Sequence, residues 1–155
     1  MFKRKKKKDG FQGKTTLKPL KYSPKILIAW SEAIGGNKDI RDWFMSSEEF
    51  KELGIAVHAL ELDEDSRDWL VENGFAHLLA MINGVEGNND ALRWLEQNKF
   101  NVLRQVALSG DGNDDAYNWL VVNNHPELAL ISMKIRTLKD SIEEENNDVH
   151  KINRS

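Results

Sequence analysis

Four tryptophans stand at positions 43, 69, 94 and 119, spaced 26, 25 and 25 residues apart. Self-similarity at such a fixed period marks a tandem array of one small supersecondary unit, and it restricts the fold more than any other feature of the chain. The neighbouring columns keep the same register. Phe44, Leu70, Leu95 and Leu120 follow each Trp, and Ile40, Ser66, Ala91 and Ala116 stand three before it. A further column reads Phe50, Phe75, Phe100 and His125, and another reads Leu53, Leu78, Leu103 and Leu128. Leu27 extends the last of these backwards into a partial unit. One extra residue lies near Ser46-Ser47-Glu48-Glu49, where the spacing is 26 rather than 25.

Each unit carries its own punctuation. Gly36-Asn37-Lys38-Asp39, Leu62-Asp63-Glu64-Asp65, Gly87-Asn88-Asn89-Asp90 and Gly112-Asn113-Asp114-Asp115 are helix starts, with Asn or Asp able to cap the first free N–H groups. Four residues beyond each Trp lie Ser47, Asn73, Asn98 and Asn123, and Asn73-Gly74 and Asn123-Asn124 read as left-handed stops. A second helix follows, with Leu78, Leu79, Met81 and Ile82 in one unit and Leu128, Leu130, Ile131 and Ile135 in another. Two short helices per unit predict an all-α, right- or left-twisted solenoid of about four and a half repeats. Helices this short are marginal alone, so stacking must stabilise them. In this reading each indole of the Trp column fills the gap between successive helix pairs. Ile131 to Glu145 prolongs the last helix as a polar cap, and residues 146–155 read as a frayed tail.

The stretch from Gly110 to Leu128, with an acidic turn, a short helix, a break at Asn123-Asn124-His125-Pro126 and then a Leu-rich helix, resembles leucine-rich-variant and other short HEAT-like repeats. The likeness spans about residues 24–135. It departs from that pattern in carrying Trp where a small aliphatic is usual. The resemblance implies a binding scaffold, not an activity.

Charge divides the chain differently. Residues 1–25 hold ten Lys or Arg against one acid, a net charge of +9, whereas the other 130 hold 12 basic against 24 acidic groups, a net of −12. The first 23 residues show no helical or strand period, and their composition predicts a disordered basic arm on an acidic repeat domain spanning 24–145. The run Lys3-Arg4-Lys5-Lys6-Lys7-Lys8, followed by Lys14 and Lys18, is suited to phosphates: adjacent cations repel one another until a polyanion neutralises them. RNA, free or on a ribosome, is the expected partner of the arm. The chain has no cysteine, and its longest apolar run near the N-terminus is the five residues Ile26–Trp30. Both features fit a cytoplasmic protein without membrane attachment.

No residue set reads as a catalytic or metal centre. Gly10-Phe11-Gln12-Gly13-Lys14-Thr15-Thr16 has two residues between its glycines where a phosphate loop has four. Asp111-Gly112-Asn113-Asp114-Asp115 lacks the glycine and closing glutamate of a calcium loop, with Ala116 and Val122 in those places. The four histidines (58, 77, 125 and 150) have no metal-ligand spacing, and His125, in the Phe column, reads as a packing or turn residue. No cofactor is expected. The positions before each Trp vary between units, which nominates Arg41, Arg67, Arg93 and Tyr117 as the surface for a protein partner of a monomeric, non-enzymatic adaptor. Two alternatives stand beside it: an enzyme or enzyme subunit with a groove between repeats, and a pure protein-interaction module with a solubilising tail.

Overall fold

The computed structural model describes residues 16–154. Among them nine helices occur and no strand: α1 (Pro24–Ile34), α2 (Lys38–Ser46), α3 (Lys51–Leu60), α4 (Glu64–Glu72), α5 (Ala76–Val85), α6 (Asn89–Gln97), α7 (Asn101–Gly110), α8 (Asp114–Val122) and α9 (Pro126–Arg154). The punctuation read from the sequence accounts for their limits. Asn37, Asp63, Asn88 and Asn113 cap α2, α4, α6 and α8, each side chain accepting from the N–H three residues on. The residue before each cap is left-handed: Gly36, Gly87 and Gly112, but in the second unit Leu62, at φ 72°. At the far ends of α4, α6 and α8, Asn73, Asn98 and Asn123 donate through Nδ2 to the Trp carbonyl four residues back, 2.8 Å in all three. The residues that follow, Gly74, Lys99 and Asn124, take positive φ.

Each even-numbered helix packs on the two odd-numbered helices that flank it in sequence. The odd-numbered helices form a circuit, α1 to α3, α5, α7 and α9, and α9 packs against α1 as extensively as against α7. The array therefore closes on itself instead of running out as an open stack. Apolarity explains the layering, since α3 and α5 are apolar and buried on nearly every side, whereas the even-numbered helices carry only a narrow apolar stripe. α9 remains helical to Arg154, beyond the helix end that the sequence suggested near residue 145. No Pro or Gly follows Pro126, so nothing in the chain stops it.

The Trp column does not fill the core. Phe44, Leu70, Leu95 and Leu120, one residue later, are fully buried, while Trp43 is 50% exposed and Trp69, Trp94 and Trp119 are half-buried at the edge. The helix turns 100° between one residue and the next, so only one of the two can face inwards. Each indole instead stacks on the aromatic ring six residues on, or seven in the first unit with its extra residue: Trp43 on Phe50, Trp69 on Phe75, Trp94 on Phe100 and Trp119 on His125, with centroids 5.9–6.2 Å apart. His125 thus packs as the Phe column implied. The indole that does enter the core is Trp30, 3% exposed, in the register where the later units carry Ala56, Met81, Val106 and Ile131. Its Nε1 donates to the Leu53 carbonyl at 2.9 Å.

Candidate peptide-binding groove

The leucine column Leu27, Leu53, Leu78, Leu103 and Leu128 places one residue in the first turn of every odd-numbered helix, so these side chains meet where those helices begin. There the circuit opens into an apolar cavity of about 480 Å³, walled by four of these leucines with Trp30, His77 and Phe100. Residues 16–23, outside any helix or strand, run along its mouth. The sequence assigned this segment to a disordered arm, because Leu17, Leu20 and Tyr22 follow no regular period. They need none, for each packs into the mouth as the chain passes over it.

Polar contacts hold this strap at three places. The Lys18 N–H donates to the Gly74 carbonyl at 2.9 Å, and His77 Nε2 donates to the Lys18 carbonyl at 2.7 Å. The Tyr22 hydroxyl donates to Glu52 Oε2 at 2.5 Å. Lys18 also sets its ammonium over the Phe75 ring, 5.6 Å from the centroid, an arrangement favoured by the ring quadrupole. Beside it a second recess, about 350 Å³, is formed by Lys18 and Pro19 against Trp69, Phe75, Glu48 and Glu49.

The repeat is broken beneath the strap. The left-handed residue of the second turn is Lys99 or Asn124 in the later units and Gly74 here. A Cβ at Gly74 would lie 3.1 Å from the Thr16 carbonyl oxygen and 3.1 Å from Lys18 Cγ. The extra residue of the first unit brings Glu48 and Glu49 to the recess. His77 occupies a register held by Glu52, Val102 and Glu127 elsewhere.

Burial governs the ionisable groups of the site. Loss of water around His77, 2% exposed, pushes its pKa below the ordinary value, against the opposing pull of the Lys18 and Phe75 carbonyls. Since a carbonyl can only accept, the imidazole proton sits on Nε2, and Nδ1 is left buried without a hydrogen bond of good geometry. Burial, then the hydrogen bond to Glu52, pushes the Tyr22 phenol up, so it stays a donor.

Of the residues nominated for nucleic acid, Lys3, Arg4, Lys5, Lys6, Lys7, Lys8 and Lys14 lie outside the described residues, and Lys18 belongs to the strap. Those nominated for a protein partner are not brought together. Arg41 donates to the Ala33 carbonyl at 2.7 Å and pairs with Glu61, so it ties the end of α1 to α2. Arg67 repeats this on Ala59, pairing with Glu86 at 2.5 Å and bonding Asn83. In the fourth unit Tyr117 is half-buried against the core, and Arg136 of α9 reaches the equivalent carbonyl, Ser109. Arg93 is exposed and pairs with Asp90, three residues back. Arg41, Arg67 and Arg136 thus each close the end of an odd-numbered helix. The groove residues Tyr22, Glu52 and His77 were not legible as a site, because they are 30 and 25 residues apart and each sits in an unremarkable column.

No family model matches this chain, nor does any curated protein or solved structure.

Proposed function

We propose that the protein is a non-enzymatic binding scaffold, a closed variant of the short helical-repeat solenoid, whose groove takes an extended protein segment while the basic arm holds RNA or another polyanion. One observation carries the first half: the groove already accommodates a non-helical stretch of chain, its own residues 17–22, through main-chain bonds and apolar side chains. The second half rests on the sequence, where six adjacent cations precede a body of net charge −12. The acidic groups at helix starts support this reading over catalysis. Asp63 caps α4 and Asp90 pairs with Arg93.

An RNA titration tests the arm. Log affinity for single-stranded RNA is expected to fall with log salt at a slope of roughly −3 to −5, and changing Lys3–Lys8 to Gln should flatten it. No binding at about 50 mM salt removes the nucleic-acid half of the reading. Partner capture with and without residues 1–14, which leaves the strap in place, separates the two halves.

A further inference from the structure

We propose that the strap is a built-in competitor, and that the groove's true ligand is an extended segment of another protein with the same chemistry: a cation followed by Pro, flanked by apolar residues. This rests on the scaffold reading above and adds the ligand class and its regulation.

The groove is specific in its demands. Gly74 leaves room for a backbone to cross within contact of it, and its carbonyl takes the N–H of the crossing chain. His77 donates to the next carbonyl along. An extended chain therefore receives one bond at each side of a single residue, here Lys18. That residue's side chain meets the Phe75 face and the rim carrying Glu48 and Glu49, which favours a cation. Pro19 follows against the aromatic pair, where no N–H is required of the ligand. Leu17 and Leu20 turn to the cavity. The body carries −12 overall, so basic segments are drawn to it and acidic ones repelled.

The strap blocks this site by proximity alone. A tethered segment acts at an effective concentration of order millimolar, so a free peptide of equal intrinsic affinity competes poorly. If the strap is docked about 99% of the time, the apparent affinity of an incoming peptide falls about 100-fold, and loosening the strap restores it. The strap joins no helix or sheet ladder of its own; three hydrogen bonds and the packing of Leu17, Leu20 and Tyr22, the last also against Phe50, hold it, and these are contacts that an incoming segment of the same chemistry can replace.

The test uses the full chain and a fluorescein-labelled synthetic peptide of residues 15–23, read by fluorescence polarisation. The wild type should bind it weakly, and Leu17→Asp with Leu20→Asp, which expels the strap, should bind it at least ten-fold more tightly. Adding Gly74→Asn should abolish that gain. The loop tolerates Asn, as Asn124 shows in the same place, but its side chain obstructs any crossing backbone. A peptide with Glu in place of its Lys18 should bind at least ten-fold more weakly. A strap-expelled protein that keeps its helical circular dichroism yet gains no affinity overturns the proposal. So does equal binding of the Glu peptide. Should the double variant lose its helical spectrum, Tyr22→Phe decides. It removes only the bond to Glu52, and failure to raise peptide affinity several-fold over wild type is equally fatal. RNA binding by the arm is unaffected by either outcome, so it is judged separately.

Discussion

Trp69 and Phe75 stack parallel and offset, 6° apart in plane with centroids 6.1 Å apart, the half-buried indole covering a phenyl that is only 5% exposed. A Trp–Phe pair, or Trp–His in the last unit, recurs at each turn between an even-numbered helix and the next odd-numbered one. The indole braces that turn from the edge, while the residue after each Trp holds the helix from inside. Removing the inner residue should therefore cost more than removing the larger outer one. Leu120→Ala is expected to cost about 3 kcal/mol, within the usual range for a fully buried leucine. Trp43→Ala, at a half-exposed indole, should cost about 1 kcal/mol. Urea denaturation of the two variants measures the difference, and a costlier Trp43→Ala would contradict the assignment.

The arginine ties give a second contrast. Arg67 is 13% exposed and bonds the Ala59 carbonyl twice, so Arg67→Ala is expected to cost about 1–1.5 kcal/mol through the loss of those charge-assisted bonds, the carbonyl keeping only the Leu62 N–H. Arg93 and Asp90 are 60% and 90% exposed, and Arg93→Ala should change stability by less than about 0.5 kcal/mol. Thermal melts of the two variants, run at equal salt, settle it.

Leu62 is the one non-glycine in its column, held at φ 72° where Gly36, Gly87 and Gly112 stand in the other units. A left-handed backbone costs a side-chain-bearing residue about 1–2 kcal/mol, whereas glycine's extra freedom in the unfolded chain costs roughly 0.5–1 kcal/mol. Leu62→Gly is thus expected to stabilise the protein by about 0.5–1 kcal/mol. Gly87→Leu should do the reverse. A chemical-denaturation midpoint that falls for Leu62→Gly would show that its half-exposed side chain contributes more than the strain removes.

Stability should also fall on mild acidification, for a reason traceable to His77. Its folded pKa lies below its ordinary value of about 6.5, so the folded state holds fewer protons than the unfolded one in that window. Stability present above about pH 6.5 is lost as the pH falls from there through the folded value. His77→Phe should flatten the dependence between pH 7.5 and 5. Asp63, held below its ordinary value by its bonds to the Ser66 hydroxyl and N–H, contributes stability throughout this range and loses it only at lower pH, on protonation. A slope unchanged in His77→Phe would assign the effect elsewhere.

The units, their lengths and their helix ends were legible because each depends on neighbours a few residues apart. A capping Asn reaches the third N–H along, and a left-handed turn needs only its own backbone, so Asn88 and Gly87 declare a helix start wherever they occur. Which member of an inward-facing pair was buried was not legible, since Trp94 and Leu95 share one period and differ only in the rotation of their helix about its axis. Packing decided that rotation, and it assigned the core indole to Trp30 instead. Closure of the circuit was likewise a tertiary outcome: α1 and α9 are a hundred residues apart, and the small turn from each unit to the next accumulates until they meet. The strap follows from that closure. Leu17, Leu20 and Tyr22 have no pattern of their own, and they become ordered because the ring leaves an apolar mouth of matching width, with His77 and Glu52 brought from separate helices to hold the chain across it.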